Sequence, residues 1–106
     1  MKNPDHPSGY VTAAQKAALH TAEKHLAQAP YSYSGLVRRL EQDGCAPSDA
    51  AYAADHCGAD WERQAVRYVR RCLSERPFPL RQLIERMLEA GFPEAQARYG
   101  ASKNGY

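Results

Sequence analysis

Residues 36–44 read LVRRLEQDG, and residues 83–91, which lie 47 positions later, read LIERMLEAG. In both stretches the apolar side chains recur at the spacing of one helix face, and a glycine follows where a left-handed residue ends a helix. The likeness continues on both sides, because residues 13–59 align with residues 60–106 without a gap. The identical positions are mostly alanines, leucines, prolines and glycines, which are fold-determining residues. The pattern predicts a tandem duplication.

Each repeat has the pattern of three helices. Residues 12–15 form a capping box before the first helix, Ser32 or Ser34 can cap the second, and Pro47 is typical of the start of the third. The second repeat follows the same order from Asp60, another good N-cap. Strands are not expected, because no run of β-branched residues alternates with polar ones. The sequence predicts an all-α fold.

The apolar positions predict the core. In the second repeat, the middle helix is expected to bury a face formed by Leu83, Ile84, Met87 and Leu88. Cys45 aligns with Phe92 and is therefore interpreted as a small buried apolar residue.

The two repeats are expected to form one compact domain. A unit of 47 residues is close to the limit of about 40 residues below which chains seldom fold alone. Only a short connection precedes Asp60, so no flexible linker separates the repeats, and Trp61 is positioned to join them. The predicted organisation is a flexible leader over residues 1–11, one helical repeat over 12–59 and a second over 60–106.

The junction segment AADHCGADWERQA, residues 53–65, carries a family resemblance together with Tyr31-Ser32, Gly35–Val37, EAGF at 89–92 and ARYG at 97–100. Over about residues 14–101 the chain resembles the Ltp-type repeat of host cell surface-exposed lipoproteins. The resemblance implies paired helix-turn-helix-like units that bind protein and have no catalytic activity. It also implies a phage or mobile-element origin, since phage members act in superinfection exclusion, where a membrane-anchored copy blocks the entry of DNA.

The sequence departs from that family pattern at its start. It carries no signal peptide and no lipobox cysteine, and no stretch approaches the roughly 20 apolar residues of a membrane span. Pro79 also stands where the family pattern has serine, opposite Ser32. A native start at Met1 predicts a cytoplasmic protein, with inhibition of a host defence complex as the corresponding role. An anchor encoded upstream would instead predict a surface protein.

Catalysis and metal binding are not expected. The cysteine and histidine side chains lack the paired spacing of a zinc site, and no glycine-rich phosphate loop or nucleophile elbow is present. The sequence therefore predicts no catalytic residue, no metal and no cofactor. The possible soft ligands considered are His20, His25, Cys45, His56, Cys57 and Cys72.

Two classes of macromolecular partner remain. A net charge of +2 is too small to indicate a dedicated polyanion binder. Arg67, Arg70 and Arg71 nevertheless lie at i, i+3 and i+4, so a helix-turn-helix protein that contacts phosphates is the alternative. Acidic residues between the arginines weaken that alternative, and a protein partner is favoured.

Divergence between the repeats indicates the contact residues. Tyr31, Tyr52 and Tyr99 match aromatic positions in the other repeat and are expected to pack in the core. Positions without such a match are available for binding. The candidate partner-binding residues are Tyr33, Arg38, Arg67, Tyr68, Arg70, Arg71 and Arg81. The sequence leaves the identity of the target and the oligomeric state open.

Overall fold

The structure, a computed structural model, describes residues 11–106 and contains six α-helices in that range. The helices are α1 (Ala13–Gln28), α2 (Tyr33–Gln42), α3 (Pro47–His56), α4 (Trp61–Glu75), α5 (Leu80–Glu89) and α6 (Glu94–Ser102). No strand occurs between residues 11 and 106, so the predicted all-α class is confirmed. None of these helices has the length and apolarity needed to cross a membrane. The predicted leader, residues 1–11, lies outside the described residues except for Val11.

The helices of the two halves lie at matching positions. α5 begins and ends 47 residues after α2, and α1 packs against α3 as α4 packs against α6. Each half has its own apolar cluster. The first is formed by Ala18, Ala22, Leu36, Leu40, Ala50, Ala53 and Ala54. The second is formed by Ala65, Val69, Cys72, Phe78, Leu83, Ile84, Met87, Phe92, Ala97 and Ala101.

The predicted helix ends have clear physical causes. Thr12 and Gln15 form the expected capping box, and the Asp60 carboxylate accepts the first free N–H groups of α4. Of the two serines considered for α2, Ser32 is the N-cap, and its hydroxyl accepts the Gly35 N–H at 2.9 Å. The φ angle of Gly44 is +102°, as expected of a glycine that follows a helix.

Three burial expectations are wrong. Leu88 is 44% exposed, because it lies about 100° around the helix from the buried Met87. Tyr99 is 37% exposed, because the inner face of α6 is made of small residues that approach α4. Cys45 is only half-buried beside the first cluster, whereas its counterpart Phe92 is fully packed in the second.

The two halves meet through hydrogen bonds at the start of α2. The buried Ser32 hydroxyl donates to the Ala90 carbonyl at 2.7 Å, and the Ser34 hydroxyl donates to the Gly91 carbonyl at 3.2 Å. A Cβ at Gly91 would lie 2.6 Å from Ser32 Oγ and would overlap the Ser34 hydroxyl. This approach therefore requires glycine. We call the contact of residues 31–35 with α4 and the α5–α6 turn the junction.

Trp61 reinforces the junction from the first turn of α4. It packs against the first cluster, although it belongs to the first helix of the second half. Its ring meets the Tyr33 ring edge-on, with the ring centroids 5.5 Å apart. The Tyr33 hydroxyl in turn donates to Asp55 Oδ1 at 2.6 Å. The position of Trp61 is the joining position predicted for it.

Replacement of Ser32 is expected to lower stability more than replacement of its neighbour. Ser32→Ala removes the N-cap of α2 and leaves the Ala90 carbonyl without its hydroxyl donor, so we expect a loss of about 1–3 kcal/mol in the free energy of unfolding. Ser34→Ala, in an exposed bond, should cost less than about 1 kcal/mol. Urea unfolding measures both values. Equal losses for the two variants would contradict this description of the junction.

Candidate functional site: a basic groove between α4 and α6

Close contact between α4 and α6 creates the site. A Cβ at Gly100 would lie 2.8 Å from the backbone of Ala65, so only glycine allows the two helices to approach this far. The Asn104 side-chain amide then donates to the carbonyls of Val66, at 3.2 Å, and Gly100, at 2.9 Å. These contacts hold the end of α6 against the middle of α4.

A groove of about 620 Å³ runs beside this contact. On α4, Arg63, Val66, Arg67 and Arg70 share the face that borders the groove, at i, i+3, i+4 and i+7. Cationic side chains therefore dominate its wall. The complete lining is Asp60, Arg63, Val66, Arg67, Arg70, Tyr99 and Lys103.

Arg67 is held in place by the junction. Its Nη1 donates to the Leu26 carbonyl and to Gln64 Oε1, both at 3.1 Å. The Leu26 carbonyl needs this donor because Pro30, four residues later, has no N–H. Gln64 is 7% exposed and also accepts the backbone N–H of Tyr31 at 3.3 Å. Arg67 therefore links the groove to the contact between the two halves.

The other cationic side chains of the groove are more available to a partner. Arg63 and Arg70 are exposed on α4. Lys103 is also exposed, and its ammonium lies 5.4 Å from the centre of the Tyr99 ring. A carboxylate in the groove can thus meet several cations next to an aromatic ring. Asp60 also lines the groove, but the N–H groups of residues 62 and 63 donate to its carboxylate and partly offset its negative charge.

Of the three arginines predicted to share one face, Arg67 and Arg70 line the groove and Arg71 does not. Arg71 lies about 100° around the helix from Arg70 and borders a separate cleft of about 220 Å³. Tyr68 lines the same cleft and packs edge-on against Phe92, with the ring centroids 5.3 Å apart. Of the candidates on α4, only Arg67 and Arg70 share the groove.

The remaining candidates lie elsewhere. Arg38 is exposed on α2 and Arg81 is exposed on α5, and neither lines the groove. Tyr33 is half-buried against the first cluster, where it contacts Trp61. Its hydrogen bond to Asp55 raises the pKa of the Tyr33 phenol above the ordinary value. Tyr33 therefore has a packing role in this structure.

The sequence does not predict a binding role for five of the seven groove residues, namely Asp60, Arg63, Val66, Tyr99 and Lys103. Arg63 had a usable signal, since it lies four residues before Arg67 and so on the same helix face. The sequence predicts a core position for Tyr99 and gives no signal for Lys103. Both reach the groove only because α6 packs against α4, and that contact depends on Gly100.

Between residues 11 and 106, no three His, Cys, Asp or Glu side chains come together in a group suited to a metal ion. Burial raises the pKa of the Cys72 thiol above its ordinary value, which disfavours the reactive thiolate.

The helices that follow the two turns carry little positive charge. In a helix-turn-helix DNA-binding unit, the second helix enters the major groove. The corresponding helix α3 contains Asp49 and Asp55 but no lysine or arginine. In α6, Arg98 is paired with Glu94 at 2.8 Å. Neither α3 nor α6 therefore presents a set of unpaired cationic side chains, which disfavours a recognition-helix mode of DNA binding.

The structure predicts different roles for two neighbouring arginines. Arg67→Met leaves the Leu26 carbonyl without its side-chain donor and removes one of the two donors to Gln64 Oε1, so we expect a loss of about 1–3 kcal/mol in stability. Arg70→Met, at an exposed position, should change stability by less than about 0.5 kcal/mol. Both free energies can be obtained by urea unfolding. A neutral Arg67→Met variant would show that this arginine does not support the junction.

Comparison of the chain with known protein families, with curated proteins and with solved structures gives no match. The resemblance to the Ltp-type repeat therefore stays a prediction from the residues quoted above. The groove is the feature that indicates a function, because it has a cationic wall, a tyrosine at its edge and an arginine that is bonded to the first half.

Proposed function

We propose that this protein is a non-enzymatic binding module that blocks a protein target by holding an acidic segment of it in the α4–α6 groove. The observation that carries the proposal is the groove itself, where Arg63, Arg67, Arg70 and Lys103 face one concave space. Arginine forms paired hydrogen bonds with carboxylates, so several arginines on one wall favour a carboxylate-rich ligand.

The groove also has features of a protein interface. Val66 and Tyr99 add apolar surface between the cations, and tyrosine and arginine are enriched where proteins bind one another. An acidic segment that also carries an apolar side chain would use both parts of the lining. Arg67 is already ordered by its bonds to Leu26 and Gln64, which reduces the entropy lost on binding.

The cationic residues of α4 that line the groove are only partly repeated in the first half, where Arg63 corresponds to Lys16. Under the 47-residue alignment, Arg70 corresponds to Glu23 and Arg67 to His20. The charge at the first of these positions is thus reversed between the halves, while the helical framework is shared. Divergence of this kind supports a role in binding for the second half and a supporting role for the first.

Protein is favoured over nucleic acid by the distribution of charge. The helices that would contact bases are α3 and α6. α3 has no lysine or arginine, and Arg98 of α6 is paired with Glu94, so neither helix offers a free cationic side chain for base contacts. A helix-turn-helix DNA-binding protein remains the second candidate, and the basic wall of α4 is the observation that favours it.

The family resemblance supports the blocking role. Phage members of the Ltp-type family act in superinfection exclusion, and a cytoplasmic relative would meet a cytoplasmic target. We therefore propose a phage or mobile-element protein that acts either in exclusion or by inhibiting a host defence complex.

The groove proposal is tested with two fluorescent probes, a Glu- and Asp-rich peptide that contains one Leu and one Phe, and a duplex DNA of random sequence. We expect the peptide to bind, as measured by anisotropy, and the double variant Arg63→Gln/Arg70→Gln to weaken its binding by at least about tenfold. The matched control, Arg38→Gln/Arg39→Gln, removes the same charge from α2 and should change peptide affinity by less than about twofold.

Two results would contradict the proposal. If both double variants weakened peptide binding equally, the affinity would depend on the net charge of the protein and not on the groove. Tighter binding of the DNA than of the peptide, with a steep loss of affinity as salt is raised, would favour the helix-turn-helix alternative.

A further inference from the structure

We propose that copies of this chain associate head to tail, through a contact that repeats the junction between the two halves. The junction joins the start of α2 to α4 and to the α5–α6 turn. Under the 47-residue alignment, each of these partners has a counterpart at the opposite end of the molecule. The start of α5, residues 78–82, is the trailing end. The surface formed by α1 and the α2–α3 turn is the leading end.

The trailing end presents the chemical groups that a continued junction requires. Leu80, the counterpart of Tyr33, is 43% exposed, and Arg81, the counterpart of Ser34, is also exposed. At the junction, Pro30 has no N–H for the Leu26 carbonyl, which accepts a hydrogen bond from Arg67 instead. In the same way, Pro77 has no N–H for the Leu73 carbonyl. An apolar side chain, a cation and a carbonyl acceptor are therefore presented together.

The leading end contains a groove of about 330 Å³ with small side chains on its α1 wall. Its walls, α1 and the α2–α3 turn, correspond to α4 and the α5–α6 turn, which contact residues 31–35 at the junction. His20, the counterpart of Arg67, is exposed on α1 and has a ring N–H that can be donated. The lining is Ala14, Ala17, Ala18, Thr21, Asp43, Gly44, Cys45, Ala46 and Asp49.

The two ends are complementary in charge and in size. The leading groove has Asp43 and Asp49, which correspond to the uncharged Ala90 and Gln96 of the second half, and the trailing end has Arg81 where the junction has a serine. Asp43 already contacts His25 at 2.6 Å, so Asp49 is the better partner for Arg81. The exposed Leu80 side chain is suited to a groove walled by alanines.

The contact between copies is weaker than the junction inside one copy. Pro79 replaces Ser32 and Ala17 replaces Gln64, so two hydrogen bonds of the junction have no equivalent between copies. The contact therefore depends on the Arg81–Asp49 charge pair and should weaken as salt is raised. A head-to-tail contact joins different surfaces and produces open chains or rings rather than a symmetric dimer.

Sedimentation velocity over about a hundredfold concentration range tests this proposal. We expect the weight-average mass of the full chain to rise with concentration and to fall with salt. Arg81→Asp and Asp49→Arg should each remain monomeric. An equal mixture of the two variants should recover association, because every contact between unlike copies then joins opposite charges. Arg98→Asp, at an exposed position on α6, is the control and should associate as the unmodified chain does.

Three outcomes would overturn the proposal. The chain could remain monomeric at every concentration. It could associate without sensitivity to the Arg81 and Asp49 variants, which would place the contact on another surface. It could also associate only after residues 1–11 are removed, which would assign the leading groove to the chain's own leader.

Discussion

The hydrogen bond from the buried Ser32 hydroxyl to the Ala90 carbonyl fixes how the two halves of this protein meet. Each half has a small apolar cluster, and that of the first half is made largely of alanine, so burial offers limited compensation for the entropy of ordering three helices. The junction adds polar contacts between them. It also explains why Gly91 needs to be glycine, since a side chain there would displace both serines.

Structure and proposed function are connected through Arg67. The same guanidinium satisfies the Leu26 carbonyl in the first half and lines the basic groove of the second. Disturbance of the junction is therefore expected to disturb one wall of the groove. Arg63 and Arg70, which are exposed on the same helix, supply charge that is not committed to the fold in this way. The site combines an anchored arginine with two exposed ones.

Local signals predicted much of the fold but little of the site. The capping box at Thr12 and the glycine at position 44 specify helix ends through neighbouring atoms, so sequence alone was sufficient there. The groove depends on contact between helices distant in sequence, and it requires the close approach at Gly100. The spacing of Arg67 and Arg71 could not show which side of α4 the last helix covers. The prediction that Leu88 is buried was wrong for a related reason, because an apolar residue next to the buried face of a helix can still be exposed.

The claim that the junction couples the two halves is tested most directly by comparing Gly91→Ala with Gly44→Ala. Both glycines have φ near +100°, but only a side chain at position 91 meets the junction serines. Urea unfolding is followed by Trp61 fluorescence and by circular dichroism. We predict that Gly44→Ala keeps one coincident transition, whereas Gly91→Ala is less stable and separates the fluorescence and circular dichroism transitions. Equal stability and coincident transitions in both variants would contradict the claim that the junction couples the halves.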